Sequence, residues 1–75
     1  MAVVGLAIEA LTTREREVLL NVMEGFSNRE IAGQLFVSPE TVKTHITNIM
    51  SKLGARDRTH AVVLAIRTNQ LEIGR

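Results

Sequence analysis

Seventy-five residues make one domain, near the lower end of what folds without a staple. The chain has no cysteine, which excludes a disulfide or thiolate metal site, fits a reducing compartment, and leaves an apolar core to be built from a 45% hydrophobic content. A net charge of +1 does not announce nucleic acid, but residues 1–35 carry five acids and three bases while residues 36–75 carry three acids and six bases, an asymmetry that favours an anionic partner at the C-terminal half.

Residues 1–10 read as a linker or N-terminal extension. Their apolar stretch, Ala2 to Ile8, has no basic residue before it. It also falls far short of the ~18 apolar residues of a membrane span. A cytoplasmic chain is expected.

The first helix begins at Thr12, three residues before Glu15, the spacing of a reciprocal capping box. Val18, Leu19, Val22 and Met23 then share a face assigned to the core, and Gly25 supplies a left-handed stop. The second begins at Ser27, again three before a glutamate, Glu30, with Ile31, Ala32 and Leu35 pointing inward. At about two turns it is too short to persist alone. Only Phe36 and Val37 separate it from the third, which starts at Ser38 with Pro39 in the first helical position. Val42, Ile46, Ile49, Met50 and Leu53 recur at helical spacing before Gly54 ends it. A fourth helix is expected from Asp57 to about Thr68, with Asn69 as its terminator. No strand signal, repeat or low-complexity stretch interrupts this order.

A two-turn helix, a very short turn and a longer amphipathic helix form the helix-turn-helix arrangement. The outward face of the third helix sharpens that reading. It carries Glu40, Thr44, Thr47, Asn48 and Ser51, with Lys43 at one flank and Thr41, His45 and Lys52 at the other. A merely solvated face favours long Glu and Lys side chains. Short hydrogen-bonding side chains instead allow close approach to base edges and phosphates.

These segments together are recognisable. Leu11-Thr12-Thr13-Arg14-Glu15-Arg16-Glu17-Val18-Leu19, Ser27-Asn28-Arg29-Glu30-Ile31-Ala32 and the run from Leu35 to His45 strongly resemble the LuxR-type helix-turn-helix. Lys52-Leu53-Gly54, Arg58-Thr59 and Ala61-Val62 extend the resemblance, which covers about residues 11–68. That module is the C-terminal output domain of NarL/FixJ-family response regulators and of quorum-sensing activators, and stands alone in GerE-like regulators. The resemblance implies an all-α, four-helix LuxR/GerE-type bundle over residues 11–69, with 70–75 as a tail. It implies binding of double-stranded DNA as a dimer, to regulate transcription, with the helix from about Pro39 to Leu53 in the major groove. RNA polymerase is a further partner such a regulator meets.

Carried onto this chain, the base-reading positions are Lys43, Thr44 and Thr47. Lys43 suits guanine O6 and N7, and a threonine methyl suits thymine. Phosphate contacts are expected from the amino ends of the second and third helices and flanking polar residues: Ser27, Asn28, Ser38, Thr41, Lys52 and Arg58. His45, between core and groove faces, fits a phosphate contact and a packing role equally well. His60 reads as surface, Met50 as core, and Glu17 with Arg58 as a pair between helices. Neither histidine has a ligand-spaced partner, so neither a metal site nor a cofactor is expected.

The fourth helix is apolar on every side from Ala61 to Ile66. A helix on the surface of a small domain should show a polar face. One resolution buries Val63, Ile66 and Arg67 against a second copy while Ala61, Val62 and Ala65 pack inward. The other covers the helix with residues 2–8. A small interface of the first kind implies little dimer in free solution and pairing on DNA.

Rival functions lack a matching pattern. There is no nucleophile–base pair, phosphate-binding glycine loop or carboxylate cluster for an enzyme. Two Phe without Trp or Tyr leave few stacking platforms for RNA. A protein-binding module that keeps the helix-turn-helix shape, or a sigma-factor-like end domain, remains the alternative.

Overall fold

Each helix starts where a short polar side chain replaces a missing backbone partner. The computed structural model describes residues 9–71. Residues 1–8 of the linker assigned to residues 1–10, including their part as a cover for the fourth helix, and residues 72–75 lie outside them. Thr12 and Ser27 both complete reciprocal capping boxes, each accepting from the amide of the glutamate three residues on while that carboxylate accepts from the capping residue's own amide. They open α1 (Thr13–Met23) and α2 (Asn28–Leu35). Ser38 caps α3 (Pro39–Leu53) and Asp57 caps α4 (Arg58–Arg67), each accepting from the backbone N–H three residues on. Such caps contribute about 0.5–2 kcal/mol each, which matters for helices of these lengths.

The helix ends are more varied. Gly54 closes α3 at φ 68°, a left-handed conformation glycine adopts without penalty. Phe36 closes α2 in the same region, at φ 59°, although it has a Cβ and a bulky ring. That ring is 93% exposed, so packing does not offset the strain.

Four helices and no strand make up the described residues. Val18 and Leu19 of α1, Ile31 and Ala32 of α2, Val42, Ile46, Ile49 and Leu53 of α3, and Ala61 and Ala65 of α4 meet in one core. Val22, Leu35 and Met50 pack at its margin. Met23 departs from its expected place. It lies half-exposed, lining a shallow depression with Arg16, Leu20, Glu24, Asn69, Gln70 and Leu71, while its neighbour Val22 packs against the core.

The domain also extends past the expected boundary at residue 69. Leu71 is buried in the core, and Gln70 ties the segment after α4 to the residues just before α1. Its Oε1 accepts from Leu11 N at 2.6 Å, and its Nε2 donates to Glu9 O at 3.3 Å. Glu9 N in turn donates to Lys52 O at 3.1 Å. Residues 70 and 71 therefore belong to the fold rather than to a tail.

Glu15 is the one charged side chain among the described residues that is buried. Beyond its cap, its Oε1 meets Lys52 Nζ at 2.7 Å, joining the start of α1 to the end of α3. Burial pushes the carboxyl up, but the Lys52 ammonium and the Thr12 amide outweigh it and hold Glu15 below its ordinary value of 4.5. A carboxyl lowered by folding stabilises the protein above its unfolded pKa, and that stability is lost as pH falls through the folded value. Melting temperature followed from about pH 7 down to about pH 3 should fall more steeply for the parent than for Glu15→Gln, the two curves converging at the acid end. Parallel curves would mean the ion pair contributes nothing to stability.

Candidate nucleic-acid interface

The facing of α3 follows from its apolar stripe. Val42, Ile46, Ile49 and Leu53 turn inward, which forces Lys43, Thr44, Thr47, Asn48 and Ser51 into solvent. From Lys43 to Ser51 the exposed strip runs about 12 Å along the axis. All three expected base-reading residues, Lys43, Thr44 and Thr47, lie on it. His45 sits half-buried at its edge.

Four of the expected phosphate residues cluster at two helix starts. Ser38 and Thr41 form one group at the head of α3. Ser38 Oγ accepts from Thr41 N at 3.1 Å and lies 3.0 Å from Thr41 Oγ1. Ser27 and Asn28 form the other, at the head of α2, where Ser27 Oγ accepts from Glu30 N at 3.1 Å and keeps its hydroxyl proton for an outside acceptor. Helix starts suit anions, since their first amides have no partner within the helix and the dipole is positive there.

Two of the expected phosphate contacts are occupied within the domain. Lys52 is held by Glu15 and is only 25% exposed along its side chain, so its ammonium is engaged within the domain in this state. Arg58 does not pair with Glu17, whose carboxylate meets Arg14 at 3.2 Å. Its guanidinium donates instead to Asn28 Oδ1 at 2.6 Å and to Phe26 O at 3.1 Å, linking α4 to the head of α2. These partners lie 37 and at least 30 residues apart in sequence, beyond any local spacing rule. Glu15 was legible as a cap, but its tie to Lys52 was not.

On α4, Ala61 and Ala65 are fully buried and Val62 is half-buried. Val63 and Arg67 are exposed one turn apart, beside a surface depression they share with Arg56, Asp57, Thr59 and His60. Ile66 is half-buried and packs partly against the domain's own core.

A short helix, a tight turn and a following helix with its polar face free define a helix-turn-helix DNA-binding domain. The pattern described as bacterial regulatory proteins, luxR family, matches residues 9–65, and the chain belongs to that family. It is 48% identical over 64 residues to the response regulator protein VraR of Staphylococcus aureus strain Mu3, and equally to that of Staphylococcus epidermidis. Those alignments take in 85% of this chain and 31% of each relative, so the chain spans about a third of the curated relatives' length. Among solved structures, the transcription factor GerE superposes with a TM-score of 0.79 at 37% identity, covering 83% of this chain and 92% of that one. The response regulator ChrA of a heme-sensing two-component system also gives 0.79, at 46% identity over 84% of this chain and 31% of that one. No helix among the described residues is long and apolar enough to cross a membrane.

Proposed function

We propose that this domain reads a specific duplex sequence with α3 in the major groove and regulates transcription as the output domain of a two-component response regulator. The observation that carries the reading is the division of α3 into a buried aliphatic stripe and an exposed face bearing Lys43, Thr44 and Thr47. Lys43 donates to guanine, and the threonine methyls touch thymine or hold the register. Ser27, Asn28, Ser38, Thr41 and the edge residue His45 meet the backbone. The printed descriptions of VraR and ChrA as response regulators favour the two-component setting. Such a regulator works in the cytoplasm, beside the chromosome and RNA polymerase. A stand-alone regulator is the second reading, favoured by the near full-length match to GerE. Selecting bound sequences from a random duplex pool tests the core of the proposal. A shared motif is expected, and a pool that stays random would refute sequence-specific reading.

Pairing through α4 completes the proposal. Val63 and Arg67, with Ile66 at the margin, form the two-fold contact, while half-sites lie about 10 bp apart. Val63→Glu sets two like charges against each other there. It should leave half-site binding intact and abolish cooperative binding to the full site, as read in gel shifts. At 38% exposure Val63 tolerates the change, and circular dichroism checks the fold. A folded variant that still binds cooperatively moves the dimer to another surface.

A further inference from the structure

Arg58 occupies an unfavourable place for a cation. It is the first residue of α4, at the positive end of that helix, where arginine is mildly destabilising. Its two bonds are made to neutral oxygens, Asn28 Oδ1 at 2.6 Å and Phe26 O at 3.1 Å. Those acceptors lie on either side of Ser27, the residue that caps α2. The guanidinium thus grips the chain across the start of α2.

The chemistry of the asparagine amide fixes the consequence. Arginine has donors only, so Asn28 must turn its oxygen toward Arg58. Its Nδ2, with two N–H groups, is left facing away. Asn28 stands in the first turn of α2, where the backbone amides also lack intrahelical acceptors. Ser27 keeps a hydroxyl proton beside it. All of these groups donate, and at a helix start, where the dipole is positive, the matching acceptors on DNA are the anionic phosphate oxygens.

We propose that Arg58 is a positioning residue for backbone binding: it holds Asn28 by its oxygen and presents the amide Nδ2 to a DNA phosphate, without touching the phosphate itself. The inference rests on the duplex-binding reading above and specifies how one of its phosphate contacts is built. Because a two-point grip is needed, lysine at position 58 keeps the charge and loses the function.

The test uses the whole chain and a random duplex, with affinity read by fluorescence anisotropy over a salt series. Asn28→Ala should weaken binding about 5–20-fold. Arg58→Lys should weaken it comparably despite conserving charge, and Arg58→Lys combined with Asn28→Ala should bind no worse than Asn28→Ala alone. Full affinity in Arg58→Lys, or additive losses in the double variant, overturns the inference by making Arg58 a point charge or a direct ligand. An Asn28→Ala protein that binds as tightly as the parent overturns it alone, whereas a parent that binds no duplex overturns the DNA reading as well. In the free protein, Arg58→Lys should shift the side-chain amide signals of Asn28 in a nitrogen–proton correlation spectrum. Unmoved signals in a folded variant would show that Arg58 does not hold the amide, and would overturn the inference without any DNA present.

Discussion

Ile49→Ala is expected to cost about 2–5 kcal/mol, while Thr44→Ala, five residues earlier on the same helix, leaves stability nearly unchanged. Ile49 is fully buried where α3 crosses the core, so its removal loses transfer free energy and leaves a cavity. Thr44 points into solvent. A chain of this size has about 4–11 kcal/mol of total stability, so the first substitution removes a large part of it. The midpoint of thermal unfolding should fall by about 10 °C or more for Ile49→Ala and by a degree or two for Thr44→Ala. The reverse ranking would rotate α3 about its axis and take the exposed base-reading residues with it.

Lys43→Ala is expected to lose about 1–3 kcal/mol of binding at the preferred site, about 5–150-fold in affinity, and to relax base preference there. Random duplex should be affected much less. Equal losses on both duplexes would reassign Lys43 to the backbone. Lys52→Ala is the informative companion. A lysine bound mainly to phosphate would weaken every duplex alike and lower the salt slope by about one. The 2.7 Å contact with Glu15 predicts a different balance, in which Lys52→Ala lowers the melting temperature and changes the salt slope little. A lowered slope at unchanged melting temperature would mean that the ion pair opens on DNA.

The starts of the helices were legible because capping is local. Thr12, Ser27, Ser38 and Asp57 announce themselves by residue type, and the glutamates three residues after Thr12 and Ser27 complete the signal. The facing of α3 was legible for a similar reason, since aliphatic spacing alone orients the helix. What escaped were ties between distant segments. Nothing near Lys52 signals that Glu15 will meet it, and nothing near Arg58 points to Asn28 rather than Glu17. Charge suggests both cations for phosphate, and only packing shows which oxygens they already hold. Leu71 was missed because it follows the last helix, where no period remains to place it.

The seam formed by Glu9, Gln70 and the Lys52 carbonyl has a mechanical consequence. A pull on the chain at Glu9 is not taken up first by α1. It is delivered to the far end of α3, through the Glu9 amide, and to the segment after α4, through Gln70. Glu9 is therefore anchored at the opposite end of α3 from the Ser38 cap. A torque applied at Glu9 would reach α3 in its last turn, at Lys52, and leave its leading turns free to engage.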